Sequence, residues 1–304
     1  MLKLNGVLKN YIWGGNKLEQ MYNKNSNGQN IAESWEVSVH HDGVSTSSTT
    51  NLLEYISRNP SVIGGDLANL PILIKFIDAE QNLSVQVHPD DTYANVVETD
   101  NGKTEMCYII DADENAGIYC GFKKDTNLQE FLKKTADGTV DELLNFIPVK
   151  AGDCFLIKAG TIHAIGKGCL VCEVQQSSNV TYRIYDYNRD GFDGNKRPLH
   201  LDKAMEVLNF NKFVDETSSG DYTIVNDNKI RLLTKCQYFA SKELLLNGCF
   251  TQKNEKSFTA LNFLSGTGTI NGTPFNKGDS FFVDKDEKIT LEGNAKVILT
   301  TLNV

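Results

Sequence analysis

Histidine is scarce in this chain. Five occur among 304 residues (His40, His41, His88, His163 and His200), and none follows residue 200. His88 closes the segment LSVQVHPDD, which reads as a strand. Alternate side chains of a strand share a face, so Ser84, Gln86 and His88 point one way and Val85 and Val87 the other. Pro89 ends that strand and fixes the backbone just beyond His88. In GKTEMCYII, Lys103 and Glu105 share a face by the same period of two. In AGDCFLIKAGTIHAIGKG a strand ends at Lys158, the chain turns, and His163 follows, flanked by Gly160, Gly166 and Gly168. In CEVQQSSNVTYRIYDYNRDG, Glu173 and Gln175 share one face, and Thr181, Arg183 and Tyr185 another.

Each of these residues alone has an ordinary structural explanation. Jointly, His88, Glu105 and His163 make a set of two imidazoles and one carboxylate, with Gln86 as an extra oxygen ligand. Borderline divalent ions such as Zn²⁺ suit that donor set, and an open coordination position marks a catalytic site. The ligands lie 17 and 58 residues apart, so no local metal-binding motif is present. Cys169 and Cys172 stand three apart on a strand, face opposite sides, and read as packing residues. Arg183 lies within an apolar strand, and arginine keeps its charge at all working pH values and can clamp an oxyanion.

The elements that must position these groups are mostly strands. PILIKFIDA, LSVQVHP, DCFLIKA, CLVCEVQQ and TYRIYDY read as strands, and EMCYIIDADENAGIYCGF as a hairpin. Residues 51–59 and 201–208 suit short helices, and residues 127–147 carry the best helical periodicity. The polar stretch 211–224 is the expected boundary between a domain of residues 1–215 and one of residues 216–304. KAGDCFLI (150–157) is echoed by NKGDSFFV (276–283), each with Gly-Asp at a turn before a strand. Such turns recur in small β-barrels. The expectation is a mainly β chain of two cupin-like barrel or sandwich (jelly-roll) domains with a few short helices, the second lacking imidazole and therefore metal.

Composition narrows the class. Lys and Arg total 30 against 39 Asp and Glu, a net charge of -9, which disfavours a nucleic-acid partner. Three of the five arginines (Arg183, Arg189 and Arg197) fall within 15 residues, a local cationic cluster in an acidic chain. No run of about 18 apolar residues predicts a transmembrane helix, and MLKLNGVLKNYIWGG lacks the apolar core of a secretory signal. Seven irregularly spaced cysteines argue for a reducing, cytoplasmic setting.

With these segments in view, the chain strongly resembles the type I phosphomannose isomerases in their short bacterial form. YIWGGNKLEQ, IAESWEVSVHHDG, LPILIKFIDAEQNLSVQVHPDD, GKTEMCYII, PVKAGDCFLIKAGTIHAIGKGCLVCEVQQSSNVTYRIYDYNRDG and RPLHLDKAMEV carry the resemblance across residues 11–208. It implies a cupin-like enzyme with one Zn²⁺ per chain that interconverts mannose 6-phosphate and fructose 6-phosphate through an enediol. It implies metal ligands at Gln86, His88, Glu105 and His163, and active-site roles for Arg183, Lys103 and Glu173. Glu173, Lys103 and a metal-bound hydroxide remain alternative bases, and Arg183, Arg189 and Lys103 candidate phosphate contacts. Only 74 residues separate His88 from His163, so the larger helical insertion of the long forms is absent. The expected partner is a sugar phosphate, with no nucleic acid, membrane or obligate protein partner. Two rival classes stand beside it: an Fe(II)- and O₂-dependent cupin oxygenase, which would also use histidines and a carboxylate, and a non-enzymatic sugar-binding cupin, which keeps the fold but has no need for Gln86, His88, Glu105, His163, Lys103 and Arg183 together.

Overall fold

The structure is a computed structural model that describes residues 1–25, 27–64, 69–217 and 219–303. It is mainly β. A six-stranded antiparallel sheet runs in the spatial order Cys154–Ile157, Glu105–Ala112, Cys169–Gln176, Ile72–Asp78, Glu33–Val37 and Val7–Lys9. A five-stranded antiparallel sheet runs in the order Leu144–Pro148, Gly117–Phe122, His163–Ile165, Val85–Val87 and Tyr182–Tyr185. Ile77, Cys107, Ile109 and Val171 of the first sheet and Ile118, Cys120 and Ile165 of the second form one buried cluster, so the two sheets face each other. Among the described residues no sheet closes on itself, so of the expected barrel or sandwich the structure shows a sandwich of open, packed sheets.

Alternation along the strands sorts the side chains as their spacing predicts. Val85 and Val87 pack with Tyr182 and Ile184 on the outer face of the five-stranded sheet, under helices Leu128–Ala136 and Leu201–Val207. Met106, Tyr108, Cys172 and Val174 point away from the shared core of the sandwich, against Leu233, Phe258 and Ile298 of the C-terminal part. Cys169 and Cys172 fall into different clusters, as their spacing requires. Tyr185 departs from the rule. A register shift between Arg183 and Tyr185 breaks the alternation, and Tyr185 packs with the outer cluster instead of sharing the face of Arg183.

Two further expectations need correction. Glu105–Ala112 and Gly117–Phe122 are strands but not a hairpin: the turn between them carries the chain from one sheet to the other. A facing pair of sheets offers both runs the same buried side, so the apolar pattern is the same for either arrangement. The periodic stretch 127–147 is helical only over Leu128–Ala136; Gly138 has φ +71°, a short 3₁₀ turn follows, and Leu144–Pro148 is a strand. The short helix at 51–59 is observed as Leu52–Arg58, with the Asn51 side chain accepting from the Glu54 N–H.

The repeated Gly-Asp turn is real. Gly152 and Gly278 have φ +95° and +87°, which favours glycine. Asp153 accepts from the Lys150 N–H and Asp279 from the Asn276 N–H, at 2.9 and 2.8 Å, before strands Cys154–Ile157 and Ser280–Val283.

The C-terminal part is one eight-stranded antiparallel sheet. It begins after the irregular stretch near residue 215, but it also recruits Leu2–Leu4, which pairs with Ser280–Val283. No helix among the described residues is long and apolar enough to cross a membrane. Polar ties fasten this sheet to the sandwich. Glu36, wholly buried, accepts from Ser280 Oγ (2.6 Å) and pairs with Lys24 Nζ (2.7 Å). Tyr108 donates to Glu243 Oε1 (2.7 Å), which is also paired with Arg231. Removing one partner of a buried ion pair strands the other charge. Lys24→Met should therefore lower unfolding stability by about 3 kcal/mol, read by urea denaturation, and Glu36→Gln placed on top should recover part of that loss.

Candidate metal centre and active site

The inner faces of the two sheets carry a polar row within an otherwise apolar core. On the six-stranded sheet Glu173 stands opposite Lys75 on one side and Cys107 on the other, with Gln175 opposite Glu105. On the five-stranded sheet Gln86 pairs with His163 and with Arg183. A slip of one residue in any of these strands would turn its functional groups to the opposite face.

His88, Glu105 and His163 converge, with one ligand atom from each lying within 4.8 Å of the others, and all three are 1% exposed. His163 Nε2 is 3.0 Å from Glu105 Oε1, and His88 Nε2 is 3.6 Å from Oε2. The other ring nitrogens are engaged by main chain: His88 Nδ1 lies 2.9 Å from Val180 O and His163 Nδ1 3.0 Å from Thr161 O. As donors to those carbonyls, both rings direct an unprotonated Nε2 inward. A main-chain acceptor that fixes the tautomer in this way is the usual outer partner of a metal-bound imidazole. Both Glu105 oxygens are buried and accept no hydrogen bond of good geometry. Buried acceptors left so are costly, and a cation at their focus removes the cost. The donor set therefore fits a divalent ion. Gln86 reaches the same point, its amide nitrogen 3.3 Å from His163 Nε2. Nitrogen and oxygen of an amide are assigned from their surroundings, and the reversed amide offers the ion an oxygen.

Local backbone fixes these ligands. The Gly160 N–H donates to His88 O (2.9 Å), which docks the turn before His163 onto the end of the His88 strand. The Lys103 N–H donates to Pro89 O (2.9 Å). A Cβ at Gly102 would lie 2.4 Å from the Asp90 carbonyl carbon, so only glycine admits that approach.

Lys103 partly stands in for the cation. Its ammonium lies 2.8 Å from Glu105 Oε2 and 3.2 Å from His88 Nε2, and 3.7 Å from Glu173 Oε1. Burial works against its charge, but Glu105 and Glu173 outweigh burial and raise its pKa. Burial likewise opposes ionisation of Glu105, and Lys103 with the two imidazoles overcomes it, holding the carboxyl well below the usual range. Burial and Lys103 push the His88 imidazole well below its usual pKa, so the ring is neutral, as a ligand must be. Burial, reinforced by Glu105, raises the pKa of Glu173.

A cavity of about 230 Å³ opens beside this centre. Gln86, Lys103, Glu173 and Arg183 line it, while His88, Glu105 and His163 sit directly behind Gln86 and Lys103. The structure thus brings together all seven residues singled out from the sequence. Arg189 does not line the cavity; Arg197 does. Sequence reasoning also passed over Lys75 and Glu33. Lys75 Nζ sits 3.5 Å from Glu173 Oε1 and 3.6 Å from Glu33 Oε2, and Trp35 Nε1 donates to Glu33 (2.6 Å). The available signal was a lysine inside an apolar strand, PILIKFIDA. Tyr11 and Trp13 complete the wall.

Loss of a direct ligand should exceed the roughly 10- to 100-fold penalty typical of outer-shell changes. His163→Ala and Glu105→Ala should each weaken Zn²⁺ affinity by at least about a hundredfold, measured by competition with a chromophoric chelator. Affinity unchanged in both variants would remove the ion from this cluster.

Comparison with known proteins agrees with this geometry. Residues 1–124 match the family model described as phosphomannose isomerase type I, catalytic domain. The mannose-6-phosphate isomerase ManA of Bacillus subtilis is 36% identical over 97% of both chains. A second protein of that organism, the probable mannose-6-phosphate isomerase GmuF, is 35% identical over 98% of both. The crystal structure of a mannose 6-phosphate isomerase from Bacillus subtilis superposes with a TM-score of 0.93 at 31% identity, covering 98% of each chain. Similarity of that extent, spanning nearly the whole sequence, makes this chain a member of the type I phosphomannose isomerase family.

Proposed function

We propose that the protein interconverts D-mannose 6-phosphate and D-fructose 6-phosphate through an enediol, using one Zn²⁺ per chain held by His88, Glu105, His163 and Gln86. The observation that carries this reading is the convergence of two inward Nε2 atoms and an unsatisfied carboxylate beside a cavity lined by Lys103, Glu173 and Arg183. The ion, when bound, polarises the sugar's C1 and C2 oxygens as a Lewis acid. Residues 1–215 form the catalytic, cupin-like unit in this proposal, and residues 216–304 a β-unit without metal ligands.

The side chains divide the proton chemistry. Glu173 Oε1 is buried and accepts no hydrogen bond, so it is the available base. It takes the C2 proton of the open-chain aldose while the C1 carbonyl oxygen gains a proton, giving the enediol. Return of a proton to C1 and loss of the O2 proton give the ketose. Lys103, whose ammonium lies 2.8 Å from Glu105 Oε2 and 3.7 Å from Glu173 Oε1, serves as the proton donor. Arg183, whose Nε is buried without a partner, supplies a fixed positive charge to the developing enediolate.

A coupled spectrophotometric assay on purified protein tests the reading. Turnover of mannose 6-phosphate should vanish on chelation and return with Zn²⁺. Absence of turnover from folded, zinc-loaded protein would overturn it; restoration by Fe(II) alone, with O₂ consumed, would favour the oxygenase class. Glu173→Gln should lower kcat by roughly 10²- to 10⁴-fold with zinc content unchanged. Arg183→Ala should lower kcat by about 10²- to 10³-fold with a much smaller rise in KM; the reverse pattern would make Arg183 a ground-state binder.

A further inference from the structure

The segment between strand Tyr182–Tyr185 and helix Leu201–Val207 brings two arginines onto one carboxylate. Arg197 donates Nε to Asp186 Oδ2 (2.7 Å) and Nη2 to Oδ1 (2.5 Å), a bidentate pair. Arg189 donates Nε and Nη2 to the same Oδ1, at 3.1 and 2.8 Å. Asp186 is buried, and although burial opposes its charge the two guanidiniums hold its carboxyl below the usual range. Of the two arginines only Arg197 lines the cavity. Its Nη1 makes no hydrogen bond among the described residues.

The same segment braces Arg183. Pro198 O accepts from Arg183 Nη1 (2.8 Å), the His200 N–H donates to Arg183 O (2.7 Å), and the Arg183 N–H donates to His200 Nδ1 (3.0 Å). Residues 197–200 thus lie along the outer edge of strand Tyr182–Tyr185, the last strand of its sheet. His163, Gln86 and Arg183 stand in register across three adjacent strands, which separates the His163 and Arg183 backbones by roughly 10 Å, two strand spacings. Arg197 comes from the edge beyond Arg183, on the side of that strand opposite the Gln86 and His163 strands. A hexose 6-phosphate carries its reacting carbons and its phosphate at opposite ends. Arg183, Arg189 and Arg197 against Asp186 leave two positive charges, and a phosphate monoester near neutral pH carries about two negative ones.

We infer that Arg197 binds the substrate's phosphate and that Asp186 is the positioning residue that aims it, with Arg189 securing Asp186 from outside the cavity. This rests on the sugar-phosphate isomerase reading and assigns to Arg197 the role for which the sequence offered Arg189 and Lys103. Arginine suits the task because its planar fork can pair a carboxylate on one edge and a phosphate on another.

The role of Asp186 has a sign that distinguishes aiming from simple charge. Asp186→Asn adds one positive charge to this end of the cavity, so a purely electrostatic role would tighten phosphate binding. A positioning role loosens it, because the bidentate pair is lost. The test is inorganic phosphate binding to the zinc-loaded protein by calorimetry, together with steady-state kinetics. Arg197→Ala should weaken phosphate and raise KM for mannose 6-phosphate by about 10- to 100-fold, with kcat changed less than threefold and zinc content intact. Arg197→Lys should recover part of the loss. Asp186→Asn should shift both constants the same way by about tenfold. Tighter phosphate binding in Asp186→Asn would overturn the positioning role, and unchanged constants in Arg197→Ala would overturn the phosphate role. Either result can occur with isomerase turnover intact, whereas failure of the isomerase reading abolishes turnover and leaves the calorimetric comparison standing.

Discussion

Five charged side chains are buried together between two apolar sheets, and the rest of the molecule is arranged around that fact. Glu33, Lys75, Lys103, Glu105 and Glu173 are each between 1% and 8% exposed. Three carboxylates against two ammoniums leave one excess negative charge, focused at Glu105 and the two inward imidazole nitrogens. Burying ions costs several kcal/mol each after relaxation, and mutual pairing offsets that cost only where geometry is good. Glu173 meets Lys75 and Lys103 only at 3.5 and 3.7 Å, and Lys103 approaches one of the two Glu105 oxygens, at 2.8 Å, so pairing within the protein is incomplete. In the proposed reading a divalent cation completes it. Buried charges matched this incompletely cost stability, and the surrounding sheets must supply the rigidity that keeps them assembled.

That rigidity comes from strand register rather than from any local motif. The ligands come from separate strands, and His163 and Gln86 are direct cross-strand partners. The backbone ladders hold them with no help from sequence proximity, which is why spacings of 17 and 58 residues suffice. The contacts from Gly160 N–H to His88 O and from Lys103 N–H to Pro89 O add loop-to-strand ties where the ladders end.

Much of this was legible from the period of two. The alternation in LSVQVHP, GKTE and CEVQQ assigns Gln86, His88, Lys103, Glu105 and Glu173 to polar faces, and the structure places them there. What was not legible depends on partners distant in sequence. The apolar runs 105–112 and 117–122 look like a hairpin because each needs one buried face, and the facing sheets provide that face without pairing the two runs. Tyr185 was misplaced because a register shift leaves no compositional trace. Lys75 was overlooked because a single lysine in an apolar strand carries no sign of the two carboxylates waiting for it. Arg197 and Arg189 are interchangeable in a sequence; only the direction in which Asp186 holds each one separates them.

The C-terminal sheet, without histidine and without a ligand of the centre, still bears on the chemistry. Glu105, Cys107, Ile109, Cys169, Val171 and Glu173 face the sandwich core and its polar row, while Met106, Tyr108, Cys172 and Val174 face the C-terminal part. A strand that carries Glu105 or Glu173 on one side can hold its register against the electrostatic strain of that side only if the other side is also committed. Burial of Tyr108 against the C-terminal sheet, with its hydroxyl on Glu243, commits the strand three residues from Glu105. Glu36 does the same for strand Glu33–Val37, farther along the sheet, through Ser280 and Lys24. The C-terminal sheet thus acts as the back wall of the strands that carry the polar row. The recruitment of Leu2–Leu4 into its sheet closes the chain around the strands that must not slip.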